Sequence, residues 1–309
     1  MESMSNDYDK YIIDTLNIGK RIDKYVSELY ADLSRTYVQQ LIQERHILVN
    51  GQGVKSNYKL TLNDKVYVSI PEVVEPEIIA ENIPLDILYE DEDIIIVNKP
   101  KQMVVHPAKG HYSGTLVNAL MYHCKDHLSG INGVSRPGIV HRIDCDTTGA
   151  LVVCKNDFAH TNVAEQLKEH SITRKYVAIV HNVIKEDYGT VNAKVGRHPN
   201  NRLKMEANVT TGKEAITHYR VLERFKNYTY IECTLETGRT HQIRVHMSSI
   251  GYPLLGDSVY GPAHCPYKLT GQTLHAKILG LRHPHTGEYM EFEAPMPEYF
   301  LHLLDILPK

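Results

Sequence analysis

The stretch 138–155, GIVHRIDCDTTGALVVCK, crowds His141, Arg142, Asp144 and Asp146 together ahead of an apolar run. A carboxylate in such a cluster can act as a nucleophile or as a general acid or base, and the guanidinium can hold an anion. Ile139 and Val140 lead in and residues 150–154, ALVVC, lead out, which reads as strand, tight polar loop and buried strand. Loops held between rigid core elements are where chemistry tends to be placed. The plainer reading is a turn in which Asp146, Thr147 and Thr148 bond the local backbone ahead of Gly149. The loop taken alone leaves both readings open.

Two further stretches carry groups that could join it. Residues 172–181, ITRKYVAIVH, read as a strand containing Tyr176. In residues 237–247, TGRTHQIRVHM, Thr240 is placed to cap a helix that stops at Gly251, with Pro253 beyond. On that helix His241, Arg244 and Ser248 share one face, and Ile243, Met247 and Ile250 another. The histidines do not form a metal signature. His241 and His246 have the wrong spacing for one helical face, no H-E-x-x-H occurs, and His283 and His285 sit beside a turn. No metal is expected. No Rossmann or P-loop glycine pattern occurs either, so no cofactor is expected. Asp144 and Asp146 are too close in a loop to hold the separation of a glycosidase pair and are expected to splay apart.

Residues 141–149, HRIDCDTTG, resemble the catalytic loop H-R-L-D-x-x-T-S-G of the RluA/RluD-type pseudouridine synthases, which isomerise uridines in structured RNA. Ile143 replaces Leu and Thr148 replaces Ser, and both swaps keep shape and hydrogen-bonding type. The pieces NKP (98–100), VHP (105–107), RKY (174–176) and HQIRVH (241–246) also look like this family. The resemblance implies Asp144 as the nucleophile. It implies that Arg142 helps displace the target base and hold the RNA open, that Tyr176 packs on the base and could also act as a base, and that Arg244 pairs with Asp144. The reaction breaks N1–C1′, turns the uracil and forms C5–C1′. Nothing is oxidised, so one nucleophilic carboxylate suffices without metal or cofactor. A guanidinium beside that carboxylate offsets the cost of enclosing its charge. An aromatic face returns about 1–3 kcal/mol per stacked base, against a few kcal/mol for unstacking. Taken singly, Tyr176 could be an ordinary strand tyrosine, Arg244 a helix-surface residue and Arg142 half of a structural ion pair.

The elements that must position these groups divide the chain. Residues 16–70 read as two helices and a small sheet, with Ser34 capping the second helix and a turn at Asn50-Gly51. RIDKY (21–25), SRTYVQQLI (34–42), ILVNG (47–51) and DKV (64–66) give this unit a resemblance to the S4 domain, a small α/β RNA-binding fold. The resemblance implies phosphate contacts from Lys20, Arg21, Lys24, Arg35, Lys55 and Lys59. A solvated charged face is the plainer reading of the same residues. Residues 1 to about 15 read as a frayed arm, and 71–84, PEVVEPEIIAENIP, as an extended acidic linker. Residues 85–309 are then the catalytic domain, α+β with a mixed, largely antiparallel sheet. The formal charge of −3 does not advertise a nucleic-acid binder, but residues 172–250 carry 13 Lys and Arg against 7 Asp and Glu. Five scattered cysteines without a C-x-x-C pair, and no signal peptide or apolar span, indicate a cytoplasmic protein that does not enter a membrane. The absence of heptads points to a monomer. The expected partner is structured RNA, foremost large-subunit ribosomal RNA or its assembling particle. A synthase acting on transfer RNA and a non-catalytic RNA-binding assembly factor are the alternatives.

Overall fold

The computed structural model describes residues 8–71, 78–108, 111–125, 127–131, 136–201 and 204–309. The chain divides into two compact units at Val74/Glu75.

In the first unit, β1 (Asp9–Ile12) precedes two helices, α1 (Ile22–Leu29) and α2 (Arg35–Gln43), followed by β2 (Ile47–Val49) and β3 (Lys65–Val68). The strands form an antiparallel sheet in the order β1-β3-β2. Ile22, Tyr25 and Val26 on α1 and Val38, Leu41 and Ile42 on α2 are spaced by three or four residues. They close on Ile47, Val49, Val66 and Val68 to make one core. Ser34 caps α2, its hydroxyl accepting from the Tyr37 N–H at 3.2 Å. The expected frayed arm is corrected at residues 9–13. Four residues pair with β3, and Ile13 enters the core, 1% exposed. β1 is short and mostly exposed, and its apolar residues Tyr11 and Ile12 run directly into Ile13 without alternating, so they gave no strand period.

The second unit contains, in chain order, β4 (Ile87–Glu90), β5 (Ile94–Lys99), α3 (Leu116–Cys124), β6 (Thr148–Cys154), α4 (Asp157–Lys168), β7 (Thr173–His181), β8 (Tyr188–Asn192), β9 (Val195–Arg197), β10 (Met205–Ala207), β11 (Ile216–Arg224), β12 (Tyr228–Leu235), α5 (Gln242–Ser249), β13 (Leu274–Arg282), β14 (Tyr289–Glu293) and α6 (Glu298–Ile306). A nine-stranded sheet runs β4-β5-β6-β13-β7-β12-β11-β8, with β14 also on β13. Its pairs are antiparallel except β6–β13. One face packs on α3 and α5 through Leu116, Leu120, Ile243 and Met247, and the other on α4 through Ala159 and Val163. Both faces are covered, which explains why β6 is apolar and buried along its whole length.

Two expectations about this unit change. Residues 78–84 are not a solvated linker: Ile78 is buried in the core, and the Asn118 side chain of α3 donates to the Ile79 carbonyl at 2.8 Å. Residues 72–77 of the expected linker lie outside the described residues. The lead-in to the catalytic loop is not a strand, since Ile139 makes one isolated bridge to Val153. An imidazole takes the place of a strand partner: His141 Nε2 accepts the Val152 N–H at 3.1 Å.

Candidate active site

The loop 141–147 is held from several sides. His141 ties it to β6, and burial pushes that imidazole's pKa down to about 3, so it stays neutral as an acceptor. The Thr147 N–H closes the turn on the Asp144 carbonyl at 3.0 Å. From below, the wholly buried Lys99 donates to the carbonyls of Pro100, Met103 and Cys145 at 2.8, 2.8 and 2.9 Å. Burial pulls its pKa down to about 8. Cys145 stands between the two loop aspartates, so this cation grips the loop at its centre. Gly149 ends the loop with φ +108°, where a Cβ would collide with the Ala276 carbonyl on β13. The two carboxylates do splay: Asp146 packs on Gly271, whereas Asp144 faces a cavity.

That cavity, about 480 Å³, is within the range of small-molecule sites, roughly 300–1,000 Å³. Arg142, Asp144, Tyr176, His241 and Arg244 all line it, and Asp144 is the one carboxylate among its described lining residues. Arg244 Nη1 donates to Asp144 Oδ2 at 2.9 Å, across 100 residues of sequence. Its other edge is a fork: Nε and Nη2 donate to Asp257 Oδ2 and Oδ1 at 2.7 and 2.9 Å. Asp257 Oδ1 also accepts the N–H groups of Val259 and Tyr260 at 2.9 and 3.1 Å. Burial alone would lower the Arg244 pKa, but Asp257 and Asp144 outweigh it and hold it well above its usual range. Burial likewise opposes the Asp257 charge, and the Arg244 fork overcomes it, so that carboxyl sits below its ordinary value.

The helix bearing Arg244 starts at Gln242, and Thr240 is not its cap. His241 occupies the N-cap with a left-handed φ of +56° and makes no side-chain cap bond. Gln242 does the local bonding instead, its Oε1 accepting from the Arg239 N–H at 2.9 Å and the Thr237 hydroxyl at 2.8 Å. His241 is thereby turned towards the nucleophile candidate, Nε2 standing 3.7 Å from Asp144 Oδ1. On its other side Nδ1 meets the Tyr260 hydroxyl at 2.8 Å. That hydroxyl accepts the Met205 N–H at 2.8 Å, leaving its own proton for Nδ1. The network thus assigns the His241 proton to Nε2, facing Asp144.

Tyr176 is nearly enclosed on β7, and burial raises its phenol pKa, so it stays protonated at neutral pH. Arg142 is exposed, with Nη1 3.5 Å from His106 Nε2. In the first unit, Arg21 and Arg35 both bond the buried Asp23, and Lys20 pairs with Glu28 at 2.9 Å. Lys24 stands 3.9 Å from the same glutamate, and Lys55 and Lys59 are exposed. Asp257, Tyr260 and Lys99 had no assigned role in the sequence reading. Gly256-Asp257 within GYPLLGDSVYG was the available signal, and it read as turn chemistry. Among the described residues one group could hold a metal: Asp91, Asp93 and His283. It is outside the cavity lining and already bonded, His283 Nδ1 accepting two backbone N–H groups and Nε2 donating to Asp91 at 2.7 Å.

Residues 93–249, which include the loop and the Arg244 helix, match the model of the family described as RNA pseudouridylate synthase. An uncharacterised RNA pseudouridine synthase of Bacillus subtilis, YlyB, is 54% identical over 94% of this chain and 95% of its own length. The chain belongs to the RNA pseudouridine synthases. Residues 20–66 match the S4 domain. The ribosomal large subunit pseudouridine synthase D of Pseudomonas aeruginosa is 44% identical over 94% of this chain and 92% of its own length. Human RNA pseudouridylate synthase domain containing 1 shares the fold at TM-score 0.56, with 24% identity over 74% of this chain and 98% of its own. The synthase thus pairs an α+β catalytic domain with an N-terminal S4 domain, and no described helix is long and apolar enough to cross a membrane.

Proposed function

We propose that this synthase converts uridine to pseudouridine in large-subunit ribosomal RNA, as the Pseudomonas relative's name states for that protein, with Asp144 as nucleophile. The observation that carries the assignment is the Asp257–Arg244–Asp144 chain, which ends on the cavity's one described carboxylate. Arg244 is fixed by its fork to Asp257, so its third donor is held ready for Asp144 without reorganisation. Tyr176, neutral and lining the cavity, supplies the aromatic ring for the displaced uracil. Arg142, exposed at the same cavity, is free to enter the RNA helix where the base has left. Lys20, Arg21, Lys24, Arg35, Lys55 and Lys59 contact phosphates, the lysines at 24, 55 and 59 with their charges most available. The enzyme works without metal or cofactor, as a cytoplasmic monomer.

Pseudouridine mapping of ribosomal RNA tests this, in cells with the gene, without it, and complemented by Asp144→Asn. Sites lost on deletion are expected to return with the wild type and stay lost with the variant, whose RNA affinity remains within a few fold. Modification by Asp144→Asn at the wild-type level removes Asp144 from the role. Unchanged ribosomal RNA with a lost site in transfer RNA moves the substrate there. No lost site in either favours the non-catalytic RNA-binding reading.

A further inference from the structure

Arg174 is a buried guanidinium on the cavity wall, 6% exposed. Among the described residues its one side-chain hydrogen bond goes to a neutral group, Nη2 donating to the Glu236 carbonyl at 2.9 Å. Nε has no partner among the described residues, and no described carboxylate pairs with it. Burial pulls its pKa down, and the charge of Arg239 adds to that. An enclosed cation with unfilled donors is costly to keep. Such a group belongs where a ligand supplies the acceptors.

Its position narrows the ligand. Arg174 and Tyr176 are two residues apart on β7 and so face the same side of the sheet. Arg174, Tyr176 and Asp144 line the same cavity, and the charges of Arg174 and Asp144 both reach the Tyr176 phenol. Gly238 leaves room for the guanidinium, since a Cβ there would come within 2.6 Å of Nη1. A nucleotide with its ribose at Asp144 and its ring on Tyr176 therefore directs the far edge of the ring at Arg174. We infer that Arg174 binds the O4 carbonyl edge of the target uracil and selects uracil over cytosine. This rests on the reading of Asp144 and Tyr176 given above.

The chemistry suits that contact by either route. Attack at C1′ breaks N1–C1′, and uracil leaves with the bonding pair, its charge spread over O2 and O4. Addition at C6 pushes the C5–C6 π pair towards C4 and places the charge on O4. A guanidinium at O4 stabilises both. After attack at C1′, C5–C1′ forms as the Asp144–C1′ ester breaks. After addition at C6, N1–C1′ breaks, C5–C1′ forms and the Asp144–C6 bond breaks as C5=C6 is restored. In both, C5 loses its proton, N1 gains one and Asp144 is returned as carboxylate. Cytosine carries an amino donor in place of O4, and arginine has no acceptor to meet it. A site built to bond one group rejects the analogue that lacks it far more strongly than a hydrophobic slot does.

The test uses full-length protein and stem–loop RNAs containing one of the mapped sites, with uridine or cytidine at the target position. Binding preference is read in the Asp144→Asn background, where no turnover is needed, with and without Arg174→Gln and Arg174→Lys. Single-turnover rates are read with Asp144 intact. Arg174→Gln is expected to reduce the uridine-over-cytidine preference at least tenfold and to slow conversion about a hundredfold, with the salt dependence of binding unchanged. Arg174→Lys, which keeps charge and bulk but not the planar fork, is expected to fall between, and it serves if the glutamine variant does not fold. A retained preference in both variants overturns the inference. So does a salt slope lowered by about one with the preference intact, which would mark a phosphate contact. If wild type converts uridine while the preference ignores Arg174, only this inference falls. If wild type converts nothing, the functional reading falls with it.

Discussion

Asp23 in the S4 domain and Asp257 in the catalytic domain are both enclosed aspartates held by arginine, with side chains 0% exposed. Asp23 takes hydrogen bonds from Arg21, Arg35 and Gln39, and both arginines remain about half exposed. Asp257 takes Nε and Nη2 of one arginine that is itself 7% exposed and turns its third nitrogen, Nη1, to Asp144. In the first case the arginines present charge to solvent and the carboxylate pins two helices together. In the second the carboxylate aims an arginine at Asp144, the proposed nucleophile. Burial of the cation, rather than of the anion, separates a structural cluster from a positioning one.

The largest effect is expected at Asp257. Asp257→Ala leaves Arg244 enclosed with two of its three side-chain bonds unmade, and breaking such a pair costs about 3–5 kcal/mol. Urea unfolding followed by probes in the catalytic domain should show that loss. Turnover should fall about a hundredfold, the scale of a small misplacement at a reacting centre, while RNA affinity holds. A stable variant with full turnover would make Asp257 no different from Asp23.

At Asp23 the cost should be smaller and confined to the other domain. Arg21 and Arg35 can return to water, so Asp23→Ala should remove about 1.5–3 kcal/mol from the S4 domain, the range for bonds to a charged group. Turnover at saturating RNA should stay within a few fold. The pH response has a defined sign. Burial would raise the Asp23 carboxyl, but bonds from Arg21, Gln39 and Arg35 outweigh it and hold the carboxyl at about 2, against 3.8 unfolded. Its stabilisation is therefore complete above pH 3.8 and is lost as pH falls towards 2. Asp23→Asn should flatten that part of the acid-unfolding curve of the domain. An unchanged curve would mean that the cluster does not hold the helices.

The helices and most strands were legible because their apolar residues repeat at the right period, as at Val38, Leu41 and Ile42 or along β6. Asp144 and Arg244 were legible through motif resemblance, and their contact across 100 residues follows that expectation. What escaped was carried by side chains acting on distant backbone. Lys99 grips Cys145, His141 replaces a strand partner on β6, and Gln242 rather than Thr240 organises the start of the Arg244 helix. Local pattern contains no information about such bonds. β1 escaped because four mostly exposed residues, with Tyr11 and Ile12 adjacent, show no alternation to read.

Tyr260→Phe sharpens the comparison within the catalytic domain. It removes the hydroxyl that sets the His241 tautomer and leaves the Asp257–Arg244 fork intact. Of the two bonds this hydroxyl makes, the one to the Met205 N–H bears on stability and the one to His241 on the site, where a neutral bond of about 0.5–1.5 kcal/mol corresponds to roughly a threefold to tenfold loss of turnover. That is well below the effect at Asp257, and a hundredfold loss would place His241 on a par with Arg244.

The smallest effect is expected where the charges are freest. Lys55 and Lys59 are exposed, and no ion pair with either is found among the described residues, whereas Lys20 is tied to Glu28. If these two lysines sit on phosphates, Lys55→Gln with Lys59→Gln should lower the slope of log affinity against log salt by about 1.5, near 0.7–0.9 per contact. Lys20→Gln should change it less, because its charge is already partly spent. Turnover at saturating RNA should not change in either variant if, as proposed, the S4 domain supplies affinity and the Arg244 chain supplies chemistry. A slope that drops more for Lys20 than for the exposed pair would mean that the RNA displaces Glu28 and that the ion pair is part of the binding face.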